Sequence, residues 1–272
     1  MNPIHKVSNS SYDSQNVKSK ILSINLRIDG LSFVIMESDL IYHAECYEWQ
    51  SKGWEYANEQ FSLIFANNSV FKSEYKIVII ILKSKESTLI PSKFFDQSKA
   101  EIILNTLFGI KNFSTQSKKL NNADAYLTSA INTKLNKLIT TFFPKARLFN
   151  YSSIFIDEAI KLSTNNEILL LNIGQQSFEI VSTRFGKIIS HNYFDFITVD
   201  EFMFFLLSFV KQNKIDLEKT KLLLSGKIAL ESSIGKSLKK YFHNIEQMQS
   251  NSVNDKEAAF AELKTYTLIA NS

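Results

Sequence analysis

An α/β fold is predicted by three features of this sequence. Residues 20–28 (KILSINLRI) alternate apolar and polar side chains like a half-buried strand, and residues 75–82 (YKIVIIIL) resemble a strand covered on both faces. Residues 55–68 (EYANEQFSLIFANN) have the apolar spacing of a helix. Both halves of the chain show the order strand–strand–strand–helix–strand–helix. This duplication predicts two lobes of the same topology with a central cleft, a common place for a ligand.

The composition is that of a globular protein and sets few limits on function. The 272 residues are 44% hydrophobic and 21% charged, enough for one large or two ordinary domains. A formal net charge of +4 permits an anionic partner but does not require one. The single cysteine, Cys46, cannot form an intramolecular disulfide, which fits a reducing cytoplasm.

Neither an export signal nor a membrane span is expected. Residues 1–19 are polar and contain no apolar run, so we predict a flexible N-terminal arm. The longest apolar run, residues 202–210 (FMFFLLSFV), is about half of the roughly 20 residues that a membrane span needs. That run is predicted to be a buried helix, and the protein is predicted to be cytoplasmic.

The first lobe is predicted to cover residues 20–162 and to open with a three-strand meander. Asp29-Gly30 between two alternating runs indicates a two-residue hairpin turn with positive φ at both positions, which would place Leu26 opposite Phe33. A third strand follows at about 40–48. Strands are then predicted at 75–82, 126–132 and 146–152, and helices at 55–68, 97–108, 132–143 and 153–162.

The second lobe, residues 163–272, is predicted to repeat that order after the polar stretch 163–166. Its meander has turns at 174–176 and 185–186. Thr198 and Glu201 fit a capping box that opens a helix at about 199–212. A strand at 221–226 and helices at 229–243 and 258–270 complete the list.

Three strand-turn segments carry a resemblance to a known superfamily: SINLRIDG, LNIGQQSFEI and LLLSGKI. With the duplicated topology, they make the chain resemble the actin-like ATPases, whose ribonuclease H-like fold is shared by actin, sugar kinases and the large heat-shock chaperones. The chain looks most like an uncharacterised bacterial family with this fold, known only as a domain of unknown function. The resemblance covers about residues 20–245 and lies in pattern more than in identities.

The resemblance implies a nucleotide site, but its first and third motifs are altered here. In the superfamily the first strand-turn has an Asp and, two residues on, a Gly, and these places fall on Asn25 and Arg27. The third motif has a Gly-Gly pair against which the adenosine lies, and here the pair is Gly226 and Lys227.

The second motif is altered in the same direction. The superfamily pattern Asp-x-Gly-Gly-Gly-Thr falls on Asn172, Gly174, Gln175, Gln176 and Ser177. Both expected carboxylates are therefore amides, which are poor ligands for Mg²⁺. The two glutamines put side chains where glycines would let backbone N–H groups approach phosphates.

These departures predict a non-catalytic binding or scaffold protein with a degenerate nucleotide site and with protein partners. No catalytic residue, ATP, Mg²⁺ or other cofactor is expected. The competing hypothesis is a divergent nucleotide-binding ATPase or phosphotransferase, since Gly174, Ser177 and Gly226 remain in place.

Other motifs carry weaker hypotheses. Residues 234–237 (IGKS) resemble the end of a P-loop, but Leu230 occupies the place of its first glycine. No two histidines have a ligand spacing, so no metal site is expected, and His191 is predicted to be half-buried in a strand. Four acids lie near the predicted cleft or strands, and capping or ion pairing is expected of them more than a general-base role: Glu37, Asp157, Glu179 and Asp195.

A second alternative function is nucleic-acid association through a basic C-terminal face. Between residues 211 and 243, eight lysines oppose three acids, a local net charge of 8 − 3 = +5. The lysines are Lys211, Lys214, Lys219, Lys221, Lys227, Lys236, Lys239 and Lys240. A dense aromatic cluster is predicted to be mainly core, with some members available to a partner: Tyr193, Phe194, Phe196, Phe202, Phe204, Phe205 and Phe209.

Overall fold

A computed structural model of the chain describes residues 2–226, 228–248 and 255–271. The strands are β1 (His5–Ser8), β2 (Ile21–Arg27), β3 (Gly30–Glu37), β4 (Leu40–Glu48), β5 (Ile77–Leu82), β6 (Ser87–Pro91), β7 (Phe113–Lys119), β8 (Ala125–Asn132), β9 (Arg147–Asn150), β10 (Glu167–Ile173), β11 (Ser177–Arg184), β12 (Lys187–Asp195), β13 (Lys221–Gly226) and β14 (Ile245–Gln247). The helices are α1 (Trp54–Asn67), α2 (Ala100–Phe108), α3 (Thr133–Phe142), α4 (Tyr151–Leu162), α5 (Val199–Gln212), α6 (Ser233–Leu238) and α7 (Asp255–Asn271).

The chain divides into two compact units. The first holds the chain up to Lys118, Tyr126–Ile154 and helix α7, and the second holds Lys119–Ala125 and the chain from Phe155 through β14. The sequence order predicts the C-terminal helix in the second lobe, but α7 packs against β1, β2 and β3 of the first unit. Its buried side chains, Phe260, Leu263 and Tyr266, account for that position.

The main sheets of the two units have the same strand order, apart from the extra edge strand β1 of the first. In the first unit the order is β1-β4-β3-β2-β5-β9, and in the second it is β12-β11-β10-β13-β14. In both, an antiparallel meander is followed by two parallel strands, β5 and β9 in one unit and β13 and β14 in the other. The predicted duplication of topology is therefore present in the strand order, while the cleft between two lobes stays a prediction.

Each main sheet has an apolar core on one face. In the first unit, Phe61 and Phe65 of α1 and Leu135 of α3 pack with the apolar residues of β2 and β3. In the second, Phe202 of α5 and Leu238 of α6 pack with the apolar residues of β10 and β11. The strands are buried on their other face as well, where Val34 of β3 and Leu170 of β10 have no exposed surface.

The first hairpin has the predicted apolar face but a different register. Leu26 lies opposite Leu31, and Arg27 lies opposite Gly30, so the turn residues are Ile28 and Asp29. Neither turn residue has positive φ. Gly30 is required by space instead, because a Cβ there would lie 2.5 Å from Arg27 Nη2 and 2.6 Å from the carbonyl oxygen of Tyr47.

Three further elements differ from the prediction. The predicted flexible arm contains β1, which pairs antiparallel with β4 at the sheet edge. A small sheet of order β6-β8-β7 lies between β5 and α3 in the chain, and β7 is too polar (FSTQSKK) to give an apolar signal. The helix predicted at 229–243 is only Ser233–Leu238, because Ser232 caps its start through a 3.1 Å bond from Gly235 N–H to Oγ.

Candidate functional site

The predicted second motif lies where the parallel strands β10 and β13 end side by side. Asn172 is buried, with 3% of its surface exposed, and lies opposite Ser225 in the register. Its Nδ2 donates to Ser225 Oγ over 3.1 Å, and that hydroxyl donates to the carbonyl oxygen of Leu171 over 3.1 Å. An amide that donates to a neighbouring hydroxyl carries no charge, so this position lacks the anionic oxygen that Mg²⁺ prefers.

The turn after Asn172 is tight and exposes its two glutamines. Gly174 N–H donates to the carbonyl oxygen of Ser177 over 2.8 Å, which leaves Gln175 and Gln176 as the exposed turn residues. Ser177 Oγ accepts a 2.7 Å bond from the Tyr193 hydroxyl of β12. Ser177, which the motif retains, therefore accepts a hydrogen bond from Tyr193, a residue that was not among the predicted site residues.

Gly226, at the end of β13, is a glycine for a backbone reason. Its φ is +86°, and a Cβ there would overlap the carbonyl oxygen of Ile173 and lie 2.9 Å from the Ile173 nitrogen. Only a residue without a Cβ fits this close approach at positive φ. The presence of Gly226 thus follows from packing against β10 and needs no phosphate to explain it. Its predicted neighbour Lys227 lies outside the described residues.

A buried carboxylate that pairs with a histidine lies beside Asn172. Glu179, with no exposed surface, is opposite Asn172 in β11, and its Oε1 is 2.8 Å from His191 Nε2. The His191 side chain is only 5% exposed, and the residue as a whole is half-buried in its strand, as predicted. Ser225, Asn172, Glu179 and Tyr193 therefore form one polar row across four strands.

A β11–β12 register counted from the Phe185-Gly186 turn would not place Tyr193 in this polar row. Arg184 pairs with Lys187, so an unbroken ladder would place Asn192 opposite Glu179. A β-bulge between Ser182 and Thr183 shifts the register by one residue and brings Tyr193 there instead. The bulge has no sequence signal of its own here.

In the first unit, Asn25 occupies the position in β2 that Asn172 occupies in β10. It lies between Ser32 of β3 and Ile81 of the parallel strand β5. Its Oδ1 is buried and accepts no hydrogen bond from the described residues. A buried acceptor without a donor costs about 1–3 kcal/mol, so Asn25 is chemically unsatisfied in this unit.

Arg27 is held by acids of its own hairpin. Its Nε is 3.1 Å from Asp29 Oδ1, and its Nη2 is 3.5 Å from Glu48 Oε1. Burial of the guanidinium lowers the pKa of Arg27, but Asp29 and, to a lesser extent, Glu48 outweigh burial and leave the pKa above its ordinary value. The cation therefore remains charged and paired where the motif would have a glycine.

Two further candidates have structural roles in the described part of the chain. Asp157 accepts backbone N–H bonds from Asn121 and Asn122, over 3.1 and 2.9 Å. Gly235 of the IGKS segment is tightly packed, since a Cβ would lie 2.5 Å from the Leu230 carbonyl oxygen. Among residues 2–226, 228–248 and 255–271, no three His, Cys, Asp or Glu side chains are grouped so as to hold a metal ion.

The aromatic cluster is mainly core, as predicted, with one strongly exposed member. Phe202 and Phe209 are at most 1% exposed, and Phe194 stacks on Phe205 with ring centroids 5.2 Å apart. Phe204 is 66% exposed beside Phe205. Over the described ranges, no helix combines the length and the apolar composition that crossing a bilayer requires.

Comparison with solved structures places the fold. The chain superimposes with a TM-score of 0.82 on a protein with actin-like ATPase fold and unknown function from Bacteroides thetaiotaomicron VPI-5482, at 20% identity over 95% of this chain and 99% of that one. A chain of the PilM–PilN type IV pilus biogenesis complex gives 0.59 at 9% identity, covering 94% and 98%. The ethanolamine utilization protein EutJ from Carboxydothermus hydrogenoformans gives 0.52 at 7% identity, covering 93% and 91%.

The fold is therefore the actin-like ATPase fold, as the sequence predicted. Identities this low show the fold alone and leave the activity open. No curated protein matches the sequence. A family model described as "Protein of unknown function (DUF3822)" matches residues 9–245, so the chain belongs to that family.

Proposed function

We propose that this protein is a binding or scaffold protein that retains the actin-like fold, is non-catalytic at its degenerate nucleotide motifs and does not hydrolyse ATP. The observation that carries the proposal is the chemistry of Asn25 and Asn172, the two positions where the fold's ATPases have carboxylates. Neither amide supplies the negative charge that binds Mg²⁺, the ion that in turn holds the phosphates. The paired Arg27 and the Tyr193–Ser177 hydrogen bond further support the loss of a phosphate-binding surface.

The unsatisfied oxygen of Asn25 supports binding of a different kind of ligand. A buried acceptor is relieved by a group that donates a hydrogen bond. Fully ionised phosphate oxygens cannot donate hydrogen bonds, so a triphosphate would need a separate donor, such as water, to satisfy this atom. A backbone N–H or an amide of a protein partner would match it.

A protein partner is also supported by analogy. One structure with this fold is a chain of the PilM–PilN complex, in which an actin-like chain occurs in an assembly. The proposal places the protein in the cytoplasm, because a chain whose single cysteine is Cys46 cannot form an intramolecular disulfide, which fits a reducing compartment.

The decisive experiment measures ATP binding and turnover with and without Mg²⁺. We expect no heat of binding by calorimetry at millimolar ATP and no turnover above background. Asn172→Ala and the exposed control Asn192→Ala should then both resemble the unmodified protein. Turnover that Asn172→Ala abolishes and Asn192→Ala preserves would overturn the proposal and establish the competing ATPase or phosphotransferase.

Nucleic-acid association remains the second alternative, because six described lysines of the basic segment are exposed. Lys219 and Lys221 are paired with Asp216 and Glu246, at 3.2 and 2.5 Å. The other five exposed lysines have no carboxylate partner within the described residues: Lys211, Lys214, Lys236, Lys239 and Lys240. This alternative predicts RNA or DNA binding that weakens steeply with salt. Absent or salt-independent binding would remove it.

A further inference from the structure

A three-residue hydrogen-bonded chain lies at the β1 edge of the six-stranded sheet, away from the predicted motifs in sequence. Ser8 is opposite His43 in the β1–β4 register, and its Oγ is 2.6 Å from His43 Nδ1. Glu45 is two residues further along β4, and its Oε1 is 3.2 Å from His43 Nε2. A hydroxyl, an imidazole and a carboxylate are thus connected in that order.

The surroundings of Glu45 fix it as an anion. Its oxygens also receive bonds from Lys6 Nζ at 2.7 Å, the Tyr47 hydroxyl at 2.5 Å and Asn68 Nδ2 at 2.8 Å. Burial raises the pKa of Glu45, but bonds from His43, Lys6 and Tyr47 outweigh burial and lower it to about 2. An ionised carboxylate can only accept hydrogen bonds.

The charge on Glu45 determines the tautomer of His43. Because the carboxylate accepts, Nε2 of neutral His43 carries the proton and Nδ1 has a free electron pair. That electron pair faces the Ser8 hydroxyl at 2.6 Å. His43 is therefore oriented to take the proton of Ser8.

Burial separates the base from solvent but leaves the hydroxyl accessible. Both His43 and Glu45 are only 3% exposed. The Tyr12 ring stacks on the imidazole with centroids 4.5 Å apart and planes 9° apart, and Phe33 lies 5.7 Å away. Ser8 itself is exposed on the edge strand. A shielded base beside an accessible hydroxyl is the arrangement of an activated nucleophile.

We propose that Ser8 is a nucleophile activated by His43, with Glu45 as the positioning residue, and that it accepts acyl groups from small activated esters. The class of substrate follows from the open position of Ser8 on a strand edge, where a small reagent can approach. Lys6 lies two residues before Ser8 on the same face of β1, about 7 Å along the strand. Its exposed ammonium uses one donor on Glu45 and can lie near the oxyanion that forms.

The reaction requires no reagent other than the ester and water. Ser8 Oγ attacks the carbonyl carbon while its proton moves to His43 Nδ1, and the Nε2–H bond to Glu45 stabilises the imidazolium. The bond to the leaving alcohol then breaks, and that oxygen takes the proton from Nδ1, leaving an ester on Ser8. Water attacks this ester by the same proton transfers and regenerates the serine.

The alternative is that Ser8, His43 and Glu45 only hold β1 on the sheet. The reactivity of Ser8 distinguishes this structural role from the proposed nucleophile. The intact protein is treated with p-nitrophenyl acetate, and the acetylated residue is located by peptide mass spectrometry. Ser10 and Ser11 are internal controls, because both are exposed and both bond to Asn9 rather than to a histidine. We expect Ser8 to be acetylated roughly 100-fold faster than either, the usual scale of general-base assistance.

Variants test each role separately. Ser8→Ala and His43→Gln should both lose the fast release of p-nitrophenol, whereas Ser11→Ala should retain it. Glu45→Gln should slow release about 10-fold and change the ¹⁵N shifts of His43 from a single Nε2–H tautomer to a mixture.

Two results would overturn the proposal. One is acetylation of Ser8 no faster than of Ser10 and Ser11 in the unmodified protein. The other is unchanged acetylation of Ser8 in a His43→Gln protein whose circular dichroism is native. Because the first result needs no substitution, failure of a variant to fold does not weaken the test. Neither result bears on ATP binding at the Asn25 and Asn172 positions.

Discussion

Gly226 shows how one residue can match a nucleotide motif for a reason unrelated to nucleotide. Its positive φ and its approach to the Ile173 backbone already require glycine. Two terms therefore oppose a side chain at this position, backbone strain and steric overlap.

These two terms can be measured apart. Gly226→Ala should lower the free energy of unfolding by about 3 kcal/mol, since strain and overlap both act. Gly109→Ala is the matched control, because Gly109 has φ +62° with nothing within 4 Å of the added Cβ, and it should lose about 1 kcal/mol. Urea denaturation gives both values. Equal losses would mean that the overlap with Ile173 is absent.

Glu45 makes the stability depend on acidity. Its pKa of about 2 in the folded protein is below the ordinary 4.5, so the folded state binds fewer protons than the unfolded state. The contribution, about 3 kcal/mol at 1.4 kcal/mol per pKa unit, is complete above about pH 5 and disappears as the pH falls through 4.5 to about 2.

Denaturant titrations at several pH values check this expectation. Glu45→Gln should be less stable than the unmodified protein at pH 6, and the difference should shrink steadily towards pH 2. Glu74→Gln is the control, because Glu74 and its partner Lys18 are 81% and 79% exposed and contribute little. A difference that is independent of pH would rule out ionised Glu45 as its source.

At the scale of elements, the residue at which α5 begins could be predicted from the sequence. The register in which β12 pairs with β11 could not. The Thr198 and Glu201 side chains form the predicted capping box, with Glu201 N–H donating to Thr198 Oγ1 over 3.1 Å. Caps depend on residues three positions apart, so local sequence determines them. The row at Asn172 instead depends on a bulge in a pairing between strands, which local sequence does not specify.

The cap of α5 gives a simple prediction. Thr198→Ala should lower the free energy of unfolding by about 1 kcal/mol, because the backbone N–H of Glu201 loses its acceptor. Thr198→Ser retains the hydroxyl and should stay within a few tenths of a kcal/mol of the unmodified protein. Thermal or urea denaturation is the measurement. If alanine and serine cost the same, the lost hydrogen bond is not the cause.

At the scale of the whole molecule, the duplicated strand order followed from local patterns repeated in each half, and the sequence therefore revealed it. The position of α7 could not be predicted in this way, because the apolar residues of a helix do not specify which sheet the helix packs against. The small β6-β8-β7 sheet was missed for a related reason, since β7 is polar along most of its length. For Asn25 and Asn172, the motif positions were visible in the sequence, but their hydrogen-bonding states required neighbouring strands.

The assignment of α7 to the first unit predicts which strands are destabilised when this helix is disrupted. Phe260 is fully buried, so Phe260→Ala should cost about 3–4 kcal/mol. Hydrogen exchange followed by mass spectrometry should show faster exchange in β2 and β3, which α7 covers. Phe209→Ala in α5 is the matched control and should accelerate exchange in β10 and β11 instead. Faster exchange confined to β10 and β11 in Phe260→Ala would contradict the assignment.

Strand β1 has a practical consequence for handling this protein. A chain cut at residue 20, where the polar N-terminal composition invites a truncation, would lose β1 and also Val17, which is 2% exposed. The nine-residue strand β4 would then become the open edge of the sheet, with its backbone groups facing solvent. Such edges pair with one another, so the shortened protein should precipitate on concentration while the full-length chain stays in solution.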